Sequence, residues 1–212
     1  MIWLAGVMQS GIAYLYQVTG NYGIAIILLT IIIRVLMLPF TYVQTKSTMK
    51  MQELQPQINA IQKKYKNDPE RVNKETMELW KKNKVNPLAG CLVLLVQLPF
   101  LFAFFQALER YEPLKSATFL FWNLGQPDRL VLPILAAATT FLQVKLSGPA
   151  GEGSQTSMMF VFPILIGWMA TRFAAALSLY WVVTNIVSIG ERYLFPRLPL
   201  MKGEAKGEAD GT

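Results

Sequence analysis

Apolar positions along the chain gather into five long segments, residues 22–41, 87–108, 130–146, 157–171 and 174–193, separated by polar stretches. Each has about the 15 to 20 residues that a helix needs to cross a hydrocarbon core of roughly 30 Å. Five transmembrane helices are therefore expected. The third and fourth segments approach the lower limit of length, which favours a locally thinned bilayer. Pro133, Pro163 and Gly167 inside them are tolerable where neighbouring helices satisfy the freed backbone groups. Ahead of the first span, residues 1–20 are apolar but interrupted by Gln9, Ser10 and Gln17, with no basic run. An amphipathic helix lying in the membrane interface is expected there, not a cleaved signal peptide; a second, partial span is the alternative.

Between the first two spans the pattern changes. In "KMQELQPQINAIQKKY" the residues Met51, Leu54, Ile58, Ile61 and Tyr65 recur at alternating steps of three and four, the seam of a helix that packs on a partner. "KNDPER" then supplies a turn and a cap, with Asp68 as N-cap and Pro69 at the first helical position. The next helix carries Val72, Met77 and Trp80 inward before Asn86-Pro87 ends it, and Pro56 is expected to bend the first helix or mark a late start. Two readings of this hairpin stand: a docking element for a partner or an incoming chain, or a solvated spacer whose lysines hold topology and touch anionic lipid.

The expected organisation is all-α, five spans around a hydrophilic groove. It runs as an interfacial helix (1–20), first span (21–42), cytoplasmic helical hairpin (43–86), second span (87–108), extracytoplasmic loop (109–129), third span (130–146), cytoplasmic loop (147–156), fourth span (157–171), fifth span (174–193) and cytoplasmic tail (194–212). Glycine, alanine and alternating charge leave the end of the tail no apolar face, so disorder is expected there.

Composition agrees with a membrane protein. Hydrophobic residues make up 53% of the 212 and charged ones 16%, more apolar material than a soluble domain of this size can hide. The single cysteine, Cys91, excludes an internal disulfide, and the absence of histidine removes the commonest metal ligand and general base. Zinc chemistry and a Ser/His/Asp triad are excluded, no phosphate-binding loop is visible, and neither a metal nor another cofactor is expected. The net charge of +7 is best read loop by loop. With the amino terminus outside, the lysines of the hairpin, Lys145 and the basic residues of the tail lie in the cytoplasm, and only Arg110, Lys115, Arg129 and Arg172 lie outside. That orientation satisfies the positive-inside rule. Sequence-specific nucleic acid is not an expected partner, because basic and acidic residues are interleaved in the hairpin.

Arg34 stands inside the first span, about seven residues or roughly 10 Å from its cytoplasmic end at 1.5 Å per residue. A guanidinium near a helix centre costs about 2.5 to 3.5 kcal/mol on insertion scales, so it is expected to face protein or water. The spans are read as offering it no Asp or Glu partner. Polar company is present instead. Thr30, Arg34 and Thr41 share one face of the first span, and Ser178, Trp181, Asn185 and Ser188 share one face of the fifth. Gln97 on the second span and Thr139, Thr140 and Gln143 on the third fall at mid or cytoplasmic depth. Such a set would line a wet groove that enters from the cytoplasm and stops partway; the alternative for the hydroxyls and amides is helix-to-helix glue.

The blocks "KMQELQPQINAIQKKYKND", "NPLAGCLVLLVQLPF", "FLFWNLGQPDRLVLPILAAATTFLQVKLS" and "LSLYWVVTN" resemble the YidC family of bacterial membrane protein insertases, related to the mitochondrial Oxa and chloroplast Alb proteins, over roughly residues 20 to 193. The resemblance implies a five-helix core with a hydrophilic groove open to cytoplasm and lipid, through which segments of newly made proteins enter the bilayer without covalent chemistry. It makes Arg34 the groove arginine, with Gln143 and Trp181 as substrate-facing positions. Thr30, Gln97, Thr140, Asn185 and Ser178 complete the candidate groove, and Met51, Leu54, Ile58, Ile61, Met77 and Trp80 the candidate docking hairpin. The implied partners are nascent membrane proteins and membrane lipids, with the ribosome and the general secretion channel as further candidates. Three departures stand out: Val93 follows "GCL" where the family often has proline, no lipobox cysteine lies near Met1, and the tail balances its charges. A small anion transporter or channel using the same arginine is the competing class, and a membrane enzyme, lacking convergent acids or a reactive cysteine, ranks behind it.

Overall fold

The computed structural model describes residues 2–83, 85, 98–99, 101–108, 110–147 and 154–195, with side chains given from residue 3, through 146 and again from 159. The chain begins with α1 (Ile2–Thr19) and α2 (Tyr22–Glu53), joined by Gly20 and Asn21. Gly20 adopts a φ of 66°, a left-handed conformation that glycine reaches without a Cβ penalty. Asn21 then caps α2, its Oδ1 accepting the Gly23 amide at 2.9 Å and the Ile24 amide at 3.3 Å. The tight turn folds α1 back along α2. Ala5, Met8 and Ile12 form its buried stripe, and Trp3, Val7, Tyr14 and Val18 point outward.

At 32 residues α2 is about 48 Å long, more than a hydrocarbon core requires. Among the described residues it is the one helix long and apolar enough to cross a membrane by length and composition; Val131–Leu146 and Met159–Ala170 are shorter apolar helices. Beyond Pro39, which lies inside the helix, α2 runs through Met51 to Glu53 before turning at Leu54 into α3 (Gln55–Lys64). The predicted Met51 to Tyr65 seam therefore belongs to two helices, not one. Pro56 marks the late start, because proline fits the first turn of a helix, where its missing N–H would be unpaired anyway. The expected cap of α4 (Pro69–Lys82) forms, with Asp68 Oδ1 accepting the Arg71 amide at 3.0 Å.

Between α3 and α4 the buried contacts are few. Leu54, Ile58 and Val85 make a small cluster, with Met51, Leu79 and Trp80 packed on it. Met77, expected inside, is 48% exposed. The inner face of α4 runs through Thr76, Leu79 and Trp80, and one residue of helix turns Met77 about 100° away from it. Ile61 is half-buried outside the cluster.

Past a helical run over 101–108, here α5, come α6 (Glu112–Lys115) and a two-stranded antiparallel hairpin, β1 (Thr118–Phe119) with β2 (Trp122–Asn123), Phe119 opposite Trp122. This hairpin closes over the start of α2. A Cβ on Gly23 would lie 2.1 Å from the Phe119 ring, so only glycine allows that approach. The remaining helices are α7 (Val131–Ser147), α8 (Ser154–Ala170) and α9 (Ala175–Leu194). Where α7 meets α8, Gly167 lets the backbones close up: a Cβ there would stand 3.0 Å from Ala137 Cβ and 3.3 Å from the Pro133 carbonyl oxygen.

Packing makes α9 central. It lies along both α2 and α7, which meet one another only sparsely among the described residues. Its first turn is held by the loop after β2, the Ala175 and Ala176 amides donating to the Gln126 and Leu124 carbonyls at 2.8 and 3.0 Å, which satisfies two donors a helix start leaves open. The main core joins α1, α2, α5 and α9 through Met8, Ile12, Ile26, Phe104 and Leu179, with Phe104 stacked on Tyr180 at 4.2 Å between centroids.

Candidate functional site

The site follows from two helices, α2 and α7, that project polar groups toward α9. Arg34 comes from the apolar part of α2, and its Nη1 lies 3.9 Å from Oε2 of Glu191 on α9, the two side chains 13% and 10% exposed. The cation was expected to stand without an ionic partner. Glu191 is that partner, an acid three residues short of the end of α9 in "SIGERYL", inside the fifth apolar segment. It is legible as the one carboxylate of that segment, and it is easily grouped with the charged tail beside it.

Depth changes accordingly. Arg34 reaches not to the level of Asn185 but six residues further along α9 (191 minus 185), roughly 9 Å at 1.5 Å per residue. The register of α2 against α9 and the long flexible stem of arginine both contribute to that reach. At 3.9 Å the pair attracts but is too long for a hydrogen bond. Among the described residues Arg34 makes no hydrogen bond and Glu191 Oε1 is buried with no donor. Gln44 Nε2 on α2 and Thr184 Oγ1 on α9 are likewise buried without a partner among the described residues. Orphaned polar atoms of this kind call for a ligand or water, since buried polar groups are ordinarily bonded.

The other predicted residues divide into two groups. Thr140 is fully buried on α7 and accepts from Asn185 Nδ2 at 2.8 Å and from Trp181 Nε1 at 3.1 Å, while Asn185 Nδ2 also reaches Thr139 Oγ1 at 3.1 Å. These atoms knit α7 to α9. Thr30 Oγ1 donates to the Ile26 carbonyl at 2.7 Å within its own helix, and Ser178 Oγ donates to the Ala170 carbonyl at 3.5 Å. Thr30, Thr140, Ser178 and Asn185 are thus buried against helix partners. Gln143 is half-buried and forms no hydrogen bond among the described residues, and Trp181 is half-buried with its ring shared between this network and a cavity. Gln97, Cys91, Val93, the Asn86-Pro87 stop and the tail beyond residue 195 lie outside the described residues.

That cavity has a volume of about 330 Å³ and a largely apolar wall, with Leu101 and Phe105 of α5, Ile166 and Met169 of α8, and Leu177 and Trp181 of α9 beside Ser178. It begins where the polar set stops. Two residues missed in the sequence hold the end of the bundle next to α3: Arg192 donates to Gln52 Oε1, and Gln52 Nε2 donates to the Leu146 carbonyl at 3.4 Å, linking α9, α2 and α7.

Among the described residues no cluster of acids or cysteine could hold a metal ion. The fold and site define a helical membrane protein with a charged pair held between its helices. Residues 14–202 match the family model described as 60Kd inner membrane protein. The chain is 44% identical over 207 residues to membrane protein insertase YidC 2 of Bacillus anthracis, covering 93% of this chain and 81% of that one. It is 40% identical to the membrane protein insertase YidC of Fusobacterium nucleatum, covering 91% of this chain and 97% of the relative. The backbone resembles a crystal structure of an active YidC insertase with its first transmembrane domain resolved, at a TM-score of 0.74 and 27% identity, over 90% of this chain and 45% of the longer one. The chain belongs to the 60Kd inner membrane protein family, that of the YidC insertases.

Proposed function

We propose that the chain is a membrane protein insertase and chaperone that moves hydrophobic segments of newly made proteins from the cytoplasm into the bilayer of the bacterial plasma membrane. In this reading five spans, amino terminus outside and carboxyl terminus in the cytoplasm, surround a hydrophilic groove between α2 and α7 that has α9 as its floor. The observation that carries it is the state of Arg34: a permanent cation, mostly buried in the apolar part of α2, balanced by Glu191 at 3.9 Å yet with no hydrogen bond among the described residues. Its planar fork of donors, unused among the described residues, suits a carboxylate or carbonyl groups.

An entering segment has two parts with opposite needs. Its polar flank is received near Arg34 and Gln143, and its apolar part lies against the wall of Leu101, Phe105, Ile166 and Trp181 before leaving sideways into lipid. Apolar burial supplies the drive, at about 25 cal/mol per Å² removed from water. No covalent step is required. The hairpin of α3 and α4 docks the incoming chain at the cytoplasmic mouth, where the ribosome and the general secretion channel would also be met. The test is site-specific photocrosslinking during translation from Gln143, Trp181 and positions adjacent to Arg34. Adducts with ribosome-bound membrane proteins are expected; a small anion transporter using the same arginine would give none.

A further inference from the structure

We infer that Glu191 is a built-in competitor for Arg34, a carboxylate that holds the arginine's charge between substrates and yields its place to an acidic flank, so that it sets how strongly the site favours acidic over neutral substrates. The inference rests on the reading of Arg34 as a receptor for polar flanks. Its own support is the geometry of the pair.

A carboxylate that served only to lock α2 to α9 would meet a guanidinium in the bidentate, hydrogen-bonded arrangement that this pair of groups favours. Here the separation is 3.9 Å, Glu191 Oε1 has no donor, and Arg34 has no hydrogen bond among the described residues. Charge is balanced while hydrogen bonding is not. The lock between α9 and α2 is made one residue away, where Arg192 bonds Gln52, which in turn bonds the Leu146 carbonyl of α7. Glu191 is therefore relieved of that duty. Its position near the end of α9 lets its carboxylate swing toward water when another carboxylate takes the fork, which limits the cost of leaving it unpaired.

Chemistry makes the competition specific. An Asp or Glu on a substrate presents the same group as Glu191 and gains the donors that Glu191 leaves unused, whereas a neutral flank must hydrate beside an intact pair. Removing the internal acid should favour acidic flanks most.

The experiment measures insertion into vesicles of two substrates that differ only in an acidic or a neutral flank, using wild-type protein, Glu191→Gln, Arg34→Gln and the double variant. Glu191→Gln should raise the acidic-to-neutral ratio roughly two- to fivefold, the ratio expected when one partly accessible ion pair stops competing. In the Arg34→Gln background the same change should leave the ratio flat. A ratio that Glu191→Gln leaves unaltered, while Arg34→Gln lowers it, overturns the competitor role and leaves the receptor role standing. An equal rise with and without Arg34 also overturns it, since Glu191 would then repel acids without reference to the arginine. A ratio indifferent to Arg34→Gln removes the receptor reading and this inference with it. Glu191→Ala serves the same comparison where the amide variant yields little folded protein.

Discussion

Asn185 Nδ2 lies 2.8 Å from Thr140 Oγ1, an oxygen that also accepts the indole N–H of Trp181 at 3.1 Å. One fully buried hydroxyl thus ties two side chains of α9 to α7 and fixes the ring that separates the polar set from the apolar cavity. Thr140→Val keeps the shape and removes the acceptor. A loss of about 1 to 2 kcal/mol is expected, where the cost of an orphaned donor overlaps the strength of hydrogen bonds between membrane helices. Thr140→Ser should lose less. Thermal unfolding in detergent is the measurement, and equal stability of the valine variant would contradict the account.

Arg34→Ala should destabilise the protein, because it leaves the Glu191 carboxylate mostly buried and without its counter-charge. The loss should fall below the roughly 3 to 5 kcal/mol of a tightly made buried pair, since this one is long and partly accessible. Adding Glu191→Gln should restore much of it. A double-mutant cycle in detergent reads the coupling, and additive losses would show that the two groups do not sense one another.

Function should respond to Arg34 by charge before shape. Arg34→Lys should retain much of the insertion of acidic-flank substrates, because a point cation still attracts a carboxylate though it loses the fork. Arg34→Glu should be the weakest on those substrates. Vesicle insertion of acidic and neutral substrates side by side decides it, and equal losses on both would mean that Arg34 works through hydration or structure.

Gly23→Ala should displace the β1–β2 hairpin, since the new Cβ would fall 2.1 Å from the Phe119 ring and 2.6 Å from its Cβ. Phe119→Ala in the same chain should relieve the overlap and recover part of the stability. Limited proteolysis between residues 112 and 127 reports the displacement; a single variant as resistant as the parent would show that the loop adapts without cost.

The hairpin of α3 and α4 should be the least stable part of the described chain, because its core is little more than Leu54, Ile58 and Val85. Leu54→Ala should speed amide exchange over residues 55–82 while sparing α9. Met77→Gln, at an exposed position, should leave exchange as it is. Deleting residues 55–82, which keeps Gln52 and its bonds to Arg192 and Leu146 in place, should harm insertion more than the thermal stability of the remaining helices, and intact insertion would end the docking role.

What could be read along the chain is what depends on near neighbours. Runs of apolar residues mark the helices, Asp68-Pro69 starts α4 because the cap and the missing amide act within one turn, and Pro56 starts α3 for the same reason. The presence of a cation in an apolar helix is equally local, and Arg34 needed no fold to be noticed. Partners across helices are another matter. Glu191 meets Arg34, Arg192 meets Gln52, and Thr140 gathers Asn185 and Trp181 only after α9 has packed between α2 and α7. Helical periodicity states which face a residue shares, not which helix that face meets or at what depth. A long arginine stem and the offset of two packed helices together decide among levels that sequence spacing treats as distinct. Met77 shows the same limit on a smaller scale: a step of one residue turns a side chain about 100°, and only the packing of α4 against Leu54 and Ile58 decided that Thr76, not Met77, would be covered.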